Sequence, residues 1–298
     1  MANPPSTEQA LDWCRSRMLV PGSSLALTLP YAEQSLRNPI LALRTVISEI
    51  ASVPDEVSDA DVARRKLDWW RQALAEMLPH PAVLALAETG AAGAVRLTDW
   101  YTLIDAVTLE ITAPRFEQVH EWHTHCEQLA GPGALLEARL VEALEKSTPE
   151  PSSAQPASSA DPDHALTQLA AAGYRIRSVR DLVLDARHHR WWLPLELQAE
   201  YQLTRTQVAS GEGGHRFDAL VRQLIADAVE QQRKAQQAIE PEVAWLHRHQ
   251  ILSATLDRRL AGMIVRKPSR IVQQRLLPAG PLASFKLWRA ARNLMNDS

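Results

Sequence analysis

Apolar residues recur with the spacing of an α-helix along almost the whole chain, and no segment alternates as a half-buried strand would. Glycine is scarce, with 11 residues in 298, and good helix formers such as alanine, leucine, glutamine and arginine dominate. Proline and glycine separate the periodic segments. The pattern predicts an all-α protein with helices near 37–53, 96–111, 114–145, 164–190, 215–239, 242–265 and 282–296.

Two of these boundaries rest on particular residues. Pro54 follows the apolar segment 37–53 and is expected to end that helix. Another helix should begin after Ser58, a suitable N-cap, with Asp61 three residues on. The sequence therefore predicts two successive helices joined by a short turn.

The length and apolar content limit the number of domains. The chain of 298 residues fits one large domain or two small ones, and its apolar fraction of 46% can fill a substantial core. Residues 147–163, STPEPSSAQPASSADPD, lack large apolar side chains and are predicted to form a flexible loop. Neither side of this loop has an obvious core of its own, so we expect a single domain over 1–298.

Charge and cysteine content narrow the functional classes. The net charge of −3 gives no reason to expect a nucleic-acid partner. The two cysteines form no CxxC pair, which is typical of a protein in a reducing compartment. No basic and apolar leader opens the chain, and no run reaches the roughly 18 apolar residues of a membrane span. We expect a cytoplasmic protein, with peripheral membrane contact left open.

The stretch RSVRDLVLDARHHRWWLP, residues 177–194, carries the most chemistry. On a helix, Asp181 and Asp185 are neighbours one turn apart, opposite an apolar stripe. Two adjacent carboxylates repel unless a positive group joins them, and either Mg²⁺ or an arginine such as Arg177 can do so. The spacing alone favours a solvated face with ion pairs over a metal site, because this spacing is common on helices.

The same stretch resembles the second aspartate-rich motif of the squalene/phytoene synthase family. That motif has an Arg-Asp pair, an Asp four residues later and then Arg-x-x-Leu-Pro. Three further stretches resemble the family in the same order: SSLALTLP at 23–30, KLDWWRQAL at 66–74 and LAGPGALL at 129–136. The matching residues of the second motif are Arg180, Asp181, Asp185, Arg190, Leu193 and Pro194.

This resemblance implies an isoprenoid (prenyl) synthase-like helical bundle around a central cavity. In active members, two aspartate motifs face each other and hold Mg²⁺ ions that bind the diphosphate of farnesyl or geranylgeranyl diphosphate. The metals stabilise the leaving diphosphate while an allylic cation forms. An apolar cavity then shields that cation from water.

The first motif departs from the family pattern. Its aspartate positions fall near Ala51, Ser52 and Asp55, so only Asp55, or Glu49 out of register, supplies a carboxylate. Arg177 replaces an asparagine of the family's second motif and could neutralise Asp181 without metal. The segments ALRTVISEIASV and VSDADVARRKLDWWRQAL resemble a divergent branch that contains the mitochondrial complex I assembly factor and its bacterial relatives. That likeness implies a pseudoenzyme.

Two functional hypotheses follow. The first is a non-catalytic or altered-ligand protein, similar to the assembly factor, with no cofactor. The second is an active transferase that condenses farnesyl or geranylgeranyl diphosphate, with Asp181 and Asp185 holding Mg²⁺. A prenyl diphosphate, a quinone, a lipid or a protein partner remains open. The candidate vestigial or ligand-binding residues are Arg180, Asp181, Asp185, Arg190, Arg177, Glu49 and Asp55.

A histidine-rich stretch, HEWHTHCEQ at 120–128, raises a separate metal hypothesis. His120, His123 and Glu127 can share one helical face, as zinc ligands do. No second cluster follows at a fixed spacing, so the stretch favours a polar helix face over zinc.

Overall fold

The computed structural model describes residues 6–112, 114–146 and 161–297 and, within them, contains helices and turns but no strand. The predicted all-α class is confirmed. Two short 3-10 turns cover Leu29–Tyr31 and Gln34–Leu36. The α-helices are α1 Thr7–Met18, α2 Ser24–Thr28, α3 Arg37–Ala51, α4 Val53–Glu56, α5 Ala60–Glu76, α6 Pro81–Glu88, α7 Ala91–Ala94, α8 Leu97–Glu110, α9 Val119–Lys146, α10 Pro162–Arg187, α11 Leu195–Tyr201, α12 Arg205–Ser210, α13 Gly214–Gln237, α14 Pro241–Leu246, α15 Arg248–Arg266, α16 Arg270–Gln273 and α17 Pro281–Asp297.

Two predicted boundaries near the first motif are wrong. Pro54 does not end a helix, because it lies in the first turn of α4, where a missing N–H costs no hydrogen bond. The N-cap of α5 is Asp59 rather than Ser58. The Asp59 carboxylate accepts the backbone N–H groups of Asp61 and Val62, both at 2.9 Å.

Two longer predicted helices also differ from the structure. The helix expected at 242–265 is interrupted at His247, the buried C-cap of α14. The backbone carbonyl of His247 accepts from Gln250 at 2.9 Å, and α15 begins at Arg248. The helix expected at 164–190 begins earlier, because the Asp161 carboxylate caps it by accepting the N–H of Asp163 at 3.1 Å. Residues 162–163 are therefore helical, and 147–160 of the predicted loop lie outside the described residues.

Helix α10 packs against α9, α13 and α15. Its predicted apolar stripe is fully buried, as the 100° spacing requires. One core unites α1, α3, α5, α6 and α8, while a second unites α10 with α13 and the end of α15. Helix α9 contributes to both cores. The stripe consists of Ala172, Ile176, Val179, Val183 and Ala186.

A buried polar network ties α9 to three other helices. Glu137 of α9 accepts from Arg44 of α3 and lies 2.9 Å from His249 Nδ1 of α15. His249 Nε2 lies 3.1 Å from the hydroxyl of Thr28 at the end of α2. Burial alone would raise the pKa of Glu137, but Arg44 and His249 outweigh it and hold that pKa well below its usual value. The network fixes α3, one wall of the cavity described next.

Candidate active-site cavity

A cavity of about 710 Å³ lies between the α3–α4 segment on one side and α10 on the other. Its volume falls within the range of small-molecule sites, roughly 300–1,000 Å³. Residues from α8, α9 and the segment after α10 close its remaining sides. The large apolar side chains of the lining are mainly aromatic: Val107, Phe116, Trp122, Leu129, Tyr174, Leu184, Trp191 and Trp192.

Asp181 lies on the α10 wall and is held by two arginines. Arg180 Nε donates to Asp181 Oδ1 at 2.8 Å, and a second donation joins the same two side chains. Arg275 donates to both carboxylate oxygens, at 3.0 and 2.9 Å. Burial alone would raise the pKa of Asp181, but these guanidinium groups outweigh it and lower that pKa. Asp181 is therefore an ionised, fully paired carboxylate.

Asp185 belongs to a second cluster one turn further along α10. Arg190 Nη2 donates to Asp185 Oδ1 at 2.8 Å, and Trp192 Nε1 lies 3.3 Å from Oδ2. Arg190 also donates to Asp55 of α4, so it bridges the two walls of the cavity. Burial raises the pKa of Asp185, and Arg190 and Trp192 offset only part of that rise.

Arg177 does not neutralise Asp181, contrary to the prediction from their spacing. It lines the cavity, but its Nη1 donates to Asp257 of α15, at 2.8 and 2.7 Å from the two carboxylate oxygens. Asp257 is buried beside Gly173, whose missing side chain leaves room for the carboxylate. The pair therefore joins α10 to α15 behind the cavity wall.

The α3–α4 wall is poor in carboxylates. Glu49, one sequence candidate, does not line the cavity and instead binds Arg17 of α1 at 3.1 and 2.8 Å. The wall consists of Ser48, Ala51, Ser52, Pro54 and Asp55. Asp55 is thus the sole acidic side chain in that set, and it is largely exposed.

Several functional candidates have no signal in the motifs. Arg275, the second partner of Asp181, comes 94 residues after it in the chain, and no local pattern connects the two. Glu110 and His125 form a hydrogen bond on the cavity lining. Trp122 stacks on Trp192 with ring centroids 4.6 Å apart. The sequence signal for this pair is the position of Trp192 inside the second motif.

The donor set does not fit a Mg²⁺ cluster in this arrangement. Mg²⁺ needs oxygen ligands in near-octahedral geometry, but the carboxylates of Asp55, Asp181 and Asp185 already accept from guanidinium groups. Across 6–112, 114–146 and 161–297, no three His, Cys, Asp or Glu side chains converge to hold a metal. The zinc candidates His120, His123 and Glu127 form no such group within these ranges.

Comparison with known proteins shows the family to which this chain belongs. A model of the squalene/phytoene synthase family matches residues 20–281, and the chain belongs to this family. No curated protein matches it.

Solved structures agree on the fold. A dehydrosqualene synthase in complex with a ligand shares 14% identity, with a TM-score of 0.76 over 98% of each chain. YisP from Bacillus subtilis shares 13% identity, with a TM-score of 0.68 over 95% of this chain and 96% of its own. Squalene synthase HpnC from Alicyclobacillus acidocaldarius shares 15%, with a TM-score of 0.64 over 89% and 95%. At these identities the likeness establishes a common all-α fold.

Proposed function

We propose that this chain is a non-catalytic member of its family, which keeps the fold and the cavity without the metal-dependent synthase reaction. The observation that carries the proposal is the pairing of the cavity carboxylates. Asp181 is bound by Arg180 and Arg275, while Arg190 binds both Asp185 and Asp55.

The electrostatic requirement of the reaction supports this proposal. Ionisation of an allylic diphosphate needs clustered positive charge from metals bound on both walls. Here the α3 side offers Ser48, Ala51 and Ser52 in place of an acidic cluster. Loss of a single preorganised electrostatic group typically costs about 10²–10³ in rate, and more than one is missing.

The cavity itself favours a bound ligand. Its aromatic lining suits an apolar chain, such as a prenyl or lipid tail, while its arginine-rich rim suits a polar or anionic head. A dehydrosqualene synthase with the same fold has been solved with a ligand. We therefore infer an isoprenoid or lipid ligand that is bound without turnover. The resemblance of residues 42–53 and 57–74 to the assembly-factor branch supports a role in respiratory-complex assembly.

A product assay tests this proposal. The purified chain is incubated with radiolabelled farnesyl or geranylgeranyl diphosphate, with and without Mg²⁺, beside an active family member as positive control. We expect no squalene, dehydrosqualene or phytoene. Mg²⁺-dependent product that disappears in Asp181→Asn would instead establish the alternative, an active prenyltransferase.

A further inference from the structure

The outer face of helix α17 carries large apolar side chains that nothing in the described structure covers. Leu282, Phe285 and Trp288 are between 50% and 64% exposed. The inner face accounts for the docking of the helix, because Ala283 and Leu287 are buried in a small core with residues of α15. The exposed side chains are therefore not needed to hold α17 in place.

These side chains form an ordered group. The rings of Phe285 and Trp288 lie 6.0 Å apart, and the guanidinium group of Arg292 lies 5.7 Å from the Trp288 ring. Lys286 and Arg289 are exposed beside them on the same helix. The face thus combines aromatic rings with three cationic groups, and residues 281–296 include no acidic residue.

The apolar surface continues beyond the helix. A Cβ built on Gly22 would lie 3.2 Å from Ala279 Cβ, so the turn before α2 packs against the turn before α17. Both turns carry a half-exposed apolar residue, Val20 in one and Leu277 in the other. Two further exposed apolar side chains therefore lie in the turns near the N-terminal end of α17.

The chain segment that contains α17 carries charge of one sign. Residues 258–296 contain nine Lys and Arg residues and no Asp or Glu, in a chain whose net charge is −3. One of these arginines, Arg275, forms an ion pair with Asp181. The cations of α17 do not: Lys286, Arg289 and Arg292 form no ion pair with a residue in the described ranges.

We infer that the outer face of α17 binds the surface of an anionic lipid bilayer. Phe and Trp rings suit the boundary between head groups and acyl chains, while Lys and Arg extend their ammonium and guanidinium groups to lipid phosphates. Among the described residues no helix is long and apolar enough to cross a membrane. Helix α17 would therefore lie in the plane of the interface. Nucleic acid would use the cations but leave Leu282 and Leu277 exposed.

Vesicle cosedimentation of the full chain tests this inference. We expect binding to vesicles of phosphatidylcholine that contain phosphatidylglycerol, weak binding to phosphatidylcholine alone, and loss of the difference at high salt. The triple variant Lys286→Gln/Arg289→Gln/Arg292→Gln should bind about a hundredfold more weakly, because each basic residue near an anionic surface contributes about fivefold.

Further variants separate the apolar contribution from the charges. Phe285→Ser/Trp288→Ser should lower vesicle affinity at least about tenfold, since two interfacial rings are lost. Matched controls come from exposed positions elsewhere, Arg64→Gln on α5 and Leu109→Ser on α8, and should bind as the parent chain does. Circular dichroism confirms that each variant is folded.

Two outcomes would overturn the inference. One is absence of binding to the anionic vesicles, or binding that neither α17 variant weakens. The other is a dimer, seen by light scattering without vesicles, that Phe285→Ser/Trp288→Ser abolishes while vesicle binding is absent. That result would assign the face to a second copy of the chain.

Discussion

The two walls of the cavity differ in the carboxylates that they present. On the α3–α4 wall, Asp55 remains at the rim and Glu49 binds Arg17 outside the cavity. On the α10 wall, Asp181 and Asp185 are both present and both line the cavity. Arginines from outside α10 bind both of its aspartates, so these carboxylates have a structural role on that wall.

A carboxylate can hold a metal or hold a guanidinium group, and the same oxygens cannot do both. Arg275 connects α10 to a distant part of the chain through Asp181, and Arg190 connects Asp185 to Asp55 of α4. Such ion pairs add little net stability but fix how helices meet.

The largest effect is expected behind the α10 wall. In Gly173→Ala, the new Cβ would lie 2.3 Å from Asp257 Oδ2 and 3.1 Å from Arg177 Nη1. Asp257 is buried, so its carboxylate must move and weaken the pair with Arg177. We expect unfolding free energy, measured in urea, to fall by about 3 kcal/mol.

Gly262→Ala is the matched control on α15, where no atom lies within 4 Å of the new Cβ. Alanine is the better helix former, so this variant should gain up to about 1 kcal/mol. Equal gains for Gly173→Ala and Gly262→Ala would contradict the packing described for Asp257.

Removing one carboxylate from each wall gives the next largest difference. Asp181→Ala leaves Arg180, whose side chain is only 9% exposed, without its anionic partner. We expect a loss of about 2 kcal/mol in unfolding free energy, less than for a fully buried pair. Asp55→Ala, at an exposed position, should change it by no more than about 0.5 kcal/mol. The unfolding free energies of both variants are measured by thermal and by urea denaturation. Comparable losses for Asp181→Ala and Asp55→Ala would refute the distinction between the walls.

The two aspartates of α10 should differ in pH dependence. Because the pKa of Asp181 is lowered in the folded state, its stabilising contribution is present above the unfolded pKa of about 3.9 and is lost as pH falls through the folded pKa. The cost of Asp181→Asn should therefore be largest near neutral pH and shrink in acid.

The opposite sign applies to Asp185, whose pKa is raised. Its contribution is present below the unfolded pKa and is lost as pH rises through the folded pKa. Asp185→Asn should therefore cost less at neutral pH than Asp181→Asn. Unfolding curves recorded across the acid range for both variants check this order, and parallel pH profiles would refute it.

Most of the fold was predictable because helical periodicity is a local property. The stripe from Ala172 to Ala186 predicted which face of α10 is buried. The errors lie where two local signals compete. Proline breaks a helix when it lies in the interior but is favoured in the first turn, and Pro54 lies in the first turn of α4. The interruption at His247 has no proline or glycine to mark it.

The site was only partly predictable, because ion pairs join residues that are distant in sequence. The spacing of Arg177 and Asp181 satisfies the rule for helical neighbours, yet Arg177 binds Asp257, 80 residues later. The motif contains Asp181, Asp185 and Arg190, and all three line the cavity. It could not indicate Arg275, whose approach depends on the packing of the whole chain.

Metal binding tests the central claim, that arginines occupy the carboxylates of Asp55, Asp181 and Asp185 in the cavity. Mn²⁺ can stand in for Mg²⁺ and is followed by electron paramagnetic resonance in the parent chain, in Asp181→Asn and in Arg190→Met/Arg275→Met. We expect no saturable binding to the parent chain at concentrations that saturate an active relative. Binding should appear in the double variant, whose Asp55, Asp181 and Asp185 carboxylates lose their arginine partners from outside α10. Saturable binding to the parent chain that Asp181→Asn abolishes would contradict the account.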